Sequence, residues 1–407
     1  MIMNKYWVAL SNKVYVSCKE KNNVFLYHTT NGSCVISNLP EAIELINKIH
    51  EPKNIGVVDI DFDIINENLI CFINELKSKE MLTLLNKGDC NHKPVSFLPI
   101  LNLQNDVDKY IKNNESFLIG KNISHYLRRV VIHINETCKQ ECSNCSTNHL
   151  QTICCNKNVL GRYIPIDIIN ELIKQLYETQ TKIVDIVGGD VTNYPYFSKL
   201  INIIQSNTNF CWRIWNHIDN YDDTINWGEN VRKEIILTYP YDFEKIKSIY
   251  KNKNVYLNFL VGDDYNLYET TTIVKEIGLK QYSITPIYTG NNIDFFEKNV
   301  FLDKKDIFSN IISMREIFCH QKVNTNYFGT LEFYVDGSVR ANTNTPIIGS
   351  FPESNVLELI YRELLINTAW RKIRDGEICS NCNYNYLCPS PSNYELIIGK
   401  ENLCNTK

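Results

Sequence analysis

Residues 131–149, VIHINETCKQECSNCSTNH, decide how the chain is read. A β-branched apolar run, Val131-Ile132-His133-Ile134, stops in a polar loop that carries Cys138, Cys142 and Cys145. The spacing is C-x3-C-x2-C. Three thiolates on one short loop can converge on one metal centre, and thiolate is the ligand that iron–sulfur clusters take. Three protein ligands on a four-iron cluster leave one iron open to a small molecule. A zinc site completed by His133 or His149 fits the same spacing.

Outward from this loop, the chain from residue 128 alternates strands and helices. VVIHIN, KIVDIVGGD, FCWRIWNHI, EIILTY, VYLNFLVG and YSITPIY read as strands. Helices are expected over 166–180, YFSKLINIIQSN, DFEKIKSIYKNK, YETTTIVKEIG and 304–318. Nearly continuous apolar strands alternating with helices predict an α/β fold with a parallel sheet covered by helices. Six such strands suit a partial (β/α)6 barrel, whose working groups sit on loops at the C-terminal strand ends. Cys138, Cys142 and Cys145 then share a rim with Gly188, Gly189 and Asp190, which follow the second strand. Asn216, Thr238, Asn258 and Pro286 fall near later strand ends and are further candidate ligand contacts.

On either side lie smaller modules. Residues 5–37 alternate apolar and polar around an Asn31-Gly32 hairpin signal, and helices are expected over 40–51 and 66–81, followed by a short LTLL strand. This makes residues 1–90 a small α+β module of winged-helix type, suited to clamping an extended peptide. Residues 91–127 read as the linker into a barrel over 128–325. Beyond it, 326–407 opens with a hairpin about Asp336-Gly337 and carries Cys379, Cys382, Cys388 and Cys404. Four thiolates can close a zinc site or hold a [4Fe–4S] cluster.

Composition sets the bounds. The chain has 407 residues, 44% hydrophobic and 22% charged, with a net charge of -4. That is an ordinary globular balance, without a global attraction to nucleic acid or an anionic membrane. No apolar stretch is long enough to span a bilayer and no signal peptide is evident, so a cytoplasmic location is expected. Fifteen cysteines in a reducing compartment point to metal or redox chemistry where they are grouped. Those outside the two groups are expected to be core or neutral residues.

Taken together, the C-x3-C-x2-C loop after a first barrel strand and the Gly-Gly-acidic turn after a second resemble the radical S-adenosylmethionine superfamily. The resemblance implies a [4Fe–4S] cluster on Cys138, Cys142 and Cys145, with S-adenosylmethionine on the open iron. It implies that Gly188, Gly189 and Asp190 meet the amino group of that cofactor, and that Asn144 lies near its adenine. Asn144 stands where the family usually has an aromatic residue, and Asp190-Val191 where it usually has Glu-Pro. The C-terminal hairpin and the C-x2-C-x5-C set resemble a SPASM domain. The positions of one cysteine set are here Arg340-Ala341-Asn342 and Ser392, which implies one auxiliary [4Fe–4S] cluster on Cys379, Cys382, Cys388 and Cys404. The N-terminal module resembles a leader-peptide recognition element, and the CPSPSNYE ending resembles a Bacteroidetes peptide-modification group that includes inactive members. The activity implied is peptide maturation: reductive cleavage of S-adenosylmethionine, then hydrogen abstraction from a ribosomally made precursor peptide by the 5′-deoxyadenosyl radical. The partners implied are that peptide, an external electron donor such as flavodoxin or ferredoxin, and a second maturase. The departures carry an alternative, an iron–sulfur protein that binds the precursor peptide for an active maturase without cleaving the cofactor.

Overall fold

A computed structural model of the chain describes residues 5–20, 22–90, 92–99, 113, 123–138, 145–154, 160–367 and 369–406. Strands β1 (Lys5–Leu10), β2 (Val14–Ser17), β3 (Val24–His28) and β4 (Cys34–Ser37) form where the apolar–polar alternation predicts them. Gly32 takes a φ of +75° in the turn between β3 and β4, which favours glycine. Helix α1 (Pro40–His50) starts with proline in its first turn and buries Ala42, Leu45, Ile46 and Ile49 on one stripe. Helix α2 (Glu67–Ser78) is capped by the Asn66 side chain, which accepts from Leu69 N.

Between these helices lies β5 (Val57–Asp61), absent from the sequence expectation because Asp59 and Asp61 interrupt its apolar run. Both acids face lysines, Lys87 Nζ at 3.1 Å from Asp59 and Lys5 Nζ at 3.7 Å from Asp61. Strand β6 (Leu82–Asn86) completes an antiparallel sheet of order β5-β1-β6, and β2, β3 and β4 form a second.

Among the described residues the main sheet has nine strands. Its parallel members are β7 (Arg129–His133), β8 (Ile183–Val187), β9 (Cys211–His217), β10 (Val231–Thr238), β11 (Val255–Val261), β12 (Tyr282–Pro286) and β13 (Thr330–Phe333). Strands β14 (Ser338–Arg340) and β15 (Gly349–Ser350) extend it antiparallel, giving the order β12-β11-β10-β9-β8-β7-β13-β14-β15. The Asp336-Gly337 hairpin therefore belongs to this sheet: Leu331 lies opposite Val130 and Glu332 opposite Val131. The sheet is continuous across the 325/326 boundary expected between two domains.

Amphipathic helices cover the outer face. Helix α3 (Cys145–Gln151) follows the cysteine loop; α4 (Ile166–Leu176), α5 (Phe197–Ser206), α6 (Phe243–Ile249) and α7 (Asp264–Ile277) follow successive strands. Helix α4 packs Ile169, Leu172, Ile173 and Leu176 onto Val130, Ile132, Val184 and Ile186. Burying a side chain of this size contributes about 1.5–3 kcal/mol. Among the described residues no helix is long and apolar enough to cross a membrane.

The expected helix over 304–318 is two helices. After α8 (Ile293–Asn299) come α9 (Lys304–Phe308) and α10 (Met314–His320), split where Ser313 and Glu316 form a reciprocal capping box that starts a new helix. Helices α11 (Val356–Arg362), α12 (Glu377–Ser380) and α13 (Asn393–Ile398) complete the chain. Tyr15, Phe25 and Tyr27 of the second N-terminal sheet are buried against Ile307, Ile317, Tyr384 and Leu387, so the first strands pack on the last cysteine segment.

Candidate functional site

The cysteine loop leaves β7 through a fixed stem. Glu136 N donates to Arg162 O at 2.9 Å, and Ile164 N to Ile134 O at 2.8 Å. Arg162 grips the Glu136 carboxylate with Nε at 3.1 Å and Nη2 at 2.9 Å, a planar two-point contact. Beside this stem, at the end of β8, Gly188 and Gly189 have φ values of +127° and +37°. A Cβ on Gly188 would overlap Asn135 O, and one on Gly189 would overlap Thr137 O. The glycines were expected to let the backbone approach a ligand; what they approach is the stem of the cysteine loop. Asp190 N donates to Thr137 O at 2.6 Å, and Asn135 Nδ2 to Asp190 O at 2.9 Å.

Cys138 follows Thr137 directly, and its Sγ accepts from Asn220 Nδ2 at 3.6 Å. Cys145 opens α3. Cys142 and Asn144 lie outside the described residues. Asp190 is buried, and its carboxylate turns back on its own segment. Oδ1 accepts from Thr192 N at 2.9 Å and Thr192 Oγ1 at 2.6 Å, and Oδ2 accepts from Asn193 Nδ2 at 2.7 Å. A carboxylate offers about four acceptor positions, so little capacity remains for a ligand ammonium.

Of the other strand-end candidates, Asn216 Oδ1 accepts from Val191 N at 3.3 Å and so braces the Gly-Gly-Asp turn. The Thr238 hydroxyl pairs with His217 Nε2 at 3.0 Å, and Pro286 O accepts from Tyr394 OH at 2.7 Å. Asn258 lies lower, bonded to Glu234 and Ser283.

The second cysteine group occupies one neighbourhood. Burial pushes the Cys379 thiol up, against the nearby Arg374 guanidinium, with Cys404 and Cys382 adding to the rise. Cys388 is pushed up to about 12, chiefly by burial. For Cys404 burial works upward, but hydrogen bonds from Asn402 and Thr406 leave it below the usual thiol range. Asn402 Nδ2 lies 3.2 Å from its Sγ. Among the described residues no three His, Cys, Asp or Glu side chains are gathered closely enough for a single metal ion. Cys382 and Cys388 pack beside Tyr384 and Leu387. Of the remaining cysteines, Cys154 is buried, while Cys18, Cys71 and Cys211 are exposed.

One feature was not read from the sequence. The inner face of the sheet carries a charged layer. Asp185, fully buried, accepts from Arg129 Nε at 2.7 Å and Trp215 Nε1 at 2.6 Å, and Arg213 Nε lies 3.1 Å away. Arg232 Nε sits 2.6 Å from Glu234, which also takes Asn258 Nδ2 at 2.9 Å. Adjacent strands place Asp185 opposite Arg213 and Arg213 opposite Arg232. The signal was a period of two within the strands, Arg213 with Trp215 and Arg232 with Glu234, masked by apolar neighbours on the other face. This layer lines a cavity of about 440 Å³, and Asn342 and Ser392, positions where the resemblance lacks cysteines, are on its wall.

No family model matches the chain, and no curated protein does. Solved structures do. SuiB from Streptococcus suis bound to S-adenosylmethionine superposes over 98% of this chain and 99% of its own, at 12% identity and a TM-score of 0.50. The chain has the fold of SuiB. SuiB bound to its precursor peptide SuiA matches over 98% of each chain at 11% identity and a TM-score of 0.49. The structure of anSMEcpe with bound AdoMet matches over 68% of this chain and 92% of that one, at 14% identity and a TM-score of 0.45. The likeness to SuiB runs nearly end to end.

Proposed function

We propose that the chain is a radical S-adenosylmethionine peptide maturase, with its parallel strands forming a partial (β/α)6 barrel between a peptide-gripping N-terminal module and a SPASM-like C-terminal segment. One observation carries the reading: the stem of the cysteine loop and the Gly188-Gly189-Asp190 turn meet at the C-terminal ends of neighbouring parallel strands, joined by the Asp190 N–Thr137 O bond of 2.6 Å. Two sequence motifs separated by some fifty residues are thereby one rim.

Cys138, Cys142 and Cys145 would hold the first cluster, and Cys379, Cys382, Cys388 and Cys404 the auxiliary one. A cluster and S-adenosylmethionine bound at this rim would supply a 5′-deoxyadenosyl radical for hydrogen abstraction from a precursor peptide, with electrons from a flavodoxin- or ferredoxin-type donor. Around them the chain's own groups have defined tasks. The Glu136–Arg162 pair and the Gly-Gly turn fix the direction in which Cys138 leaves the strand. Asn220 donates to the Cys138 sulfur, which stabilises its thiolate form. Val187, Trp215, Ile236 and Leu260 present an apolar inner surface below the rim, with Ile153 and Cys154, and exclude water. A cytoplasmic location follows from this chemistry.

The self-capped Asp190 carboxylate favours a second reading, an iron–sulfur protein that presents the peptide to a separate maturase. One experiment divides them. The protein is reconstituted anaerobically, iron and zinc are counted, and conversion of S-adenosylmethionine to 5′-deoxyadenosine is assayed after reduction. Iron with cleavage supports the maturase. Iron without cleavage in the presence of the cognate peptide supports the presenter, and zinc alone refutes both. Cys142→Ala removes the rim cluster and spares the C-terminal one; loss of both refutes the division into two sites.

A further inference from the structure

Buried charged layers on the inside of a sheet are costly unless every group is paired, and the pairing here is lopsided. The acids are taken: Asp185 by two arginines and Trp215, Glu234 by Arg232 and Asn258, and Glu332 by the Tyr334 hydroxyl at 2.6 Å. The arginines are not. Arg129 Nε donates to Asp185, while Nε of Arg213 and Arg232 lie within ion-pair distance of Asp185 and Glu234 without a hydrogen bond, and a guanidinium carries five N–H donors in a planar fork. Among the described residues the terminal nitrogens of Arg129, Arg213 and Arg232 make no hydrogen bond. Burial, with Arg129 and Arg232 close by, holds Arg213 below its usual range despite Asp185, so like charges crowd this wall.

His133 lies on the same strand face as Arg129, four residues along at the C-terminal end of β7. It is 8% exposed, stacked on Tyr334 at 4.4 Å and 7° between rings, and neither ring nitrogen has a hydrogen-bond partner. Glu332 Oε2 is 3.6 Å from its Nε2, too far for a good bond. His133 lines the same cavity as the three arginines, and so do Asn342 and Ser392. A buried ring with both nitrogens unmet shares its cavity with surplus N–H donors. The group that answers both is a small planar acceptor.

We infer that this cavity is a carboxylate-binding site, in which the guanidinium groups of Arg129, Arg213 and Arg232 take the carboxylate of a peptide residue while His133 lines the same cavity toward the C-terminal strand end. That the carboxylate comes from a peptide rests on the function proposed above; the carboxylate chemistry does not. An acidic side chain is the source that fits best. The cavity lies on the inner face of the sheet, with Arg129 and Arg232 near the N-terminal ends of their strands.

The test uses the full-length protein without added cofactor, so that it is independent of iron content and of S-adenosylmethionine cleavage. Three probes are titrated by calorimetry: N-acetylglutamate amide, N-acetylglutamine amide, and N-acetylalanine, which has only a terminal carboxylate. The glutamate probe is expected to bind about tenfold more tightly than the glutamine probe, the scale of charge-assisted hydrogen bonds. It should also shift the ring-nitrogen resonances of His133 in histidine-labelled protein, which the glutamine probe should not. Arg213→Gln and Arg232→Gln, with folding checked by circular dichroism, should each abolish the preference. Stronger binding of N-acetylalanine would keep the carboxylate site and assign it to a peptide C-terminus. Equal binding of the glutamate and glutamine probes, no binding of either carboxylate, or a preference that survives in both folded variants would overturn the inference. If neither variant folds, the wild-type comparison and the His133 resonances decide it.

Discussion

Gly189→Ala is the sharpest single perturbation of the rim. The residue has a φ of +37°, and an added Cβ would fall on the Thr137 carbonyl, which is backbone and cannot swing aside. Placing an L-residue at positive φ costs about 1–2 kcal/mol. Separating the two loops also breaks the buried Asp190 N–Thr137 O bond of 2.6 Å, worth about 1–3 kcal/mol when its groups are left unpaired. The sum is about 2–5 kcal/mol, concentrated at the stem of the cysteine loop. Gly278→Ala is the control: it shares the positive φ, +71°, but nothing lies within 4 Å of its Cβ, so only the conformational cost of about 1–2 kcal/mol remains. Urea unfolding of both variants, followed by iron counting after anaerobic reconstitution, separates clash from strain. Gly189→Ala should lose the larger stability and the rim iron, with the C-terminal iron retained. Equal losses in the two variants, or full iron in Gly189→Ala, would refute the claim that the turn holds the cysteine loop in place.

Three further outcomes are expected. Asp185→Asn strips a fully buried counter-charge from Arg129 and Arg213 and should cost about 3–5 kcal/mol in urea unfolding. Glu363 is buried and its carboxyl is raised to about 7 by that burial from an ordinary 4.5, so the folded state binds a proton more tightly than the unfolded one. Its contribution is full below pH 4.5 and is lost as the pH rises through 7, at most roughly 3 kcal/mol; Glu363→Gln should flatten the urea midpoint between pH 5 and 8. Asn383 accepts from Ser17 Oγ at 2.9 Å and Lys19 N at 3.1 Å, and Asn383→Ala should speed hydrogen exchange in residues 14–28 while leaving β7 to β12 protected.

Much of this architecture was legible because each signal was local and repeated. The strand runs from VVIHIN to YSITPIY and the helix stripes between them needed no knowledge of distant contacts. The rim was legible too, since parallel strands put Cys138 and Gly188 at the same end. What escaped was decided by partners remote in sequence. Strand β5 hides its identity behind Asp59 and Asp61, which are paired by Lys87 and Lys5. The split at Ser313 depends on a capping box that an apolar periodicity ignores. The direction of the Asp190 carboxylate is set by Thr192 and Asn193, one turn ahead, and a motif match carries no such orientation. The charged layer needs four strands side by side before Arg129, Asp185, Arg213 and Arg232 become one group.

The packing of Tyr15, Phe25 and Tyr27 on Tyr384 and Leu387 bears on how the chain is made. A ribosome finishes the second N-terminal sheet long before it reaches Cys382 and Cys388. Until then an aromatic face of that sheet has no cover, and the nascent chain presents it to solvent and chaperones. The segment that finally covers it carries the proposed ligands of the auxiliary cluster. The last cysteine segment therefore joins the two ends of the chain in one apolar cluster, and the first strands are the last to be covered.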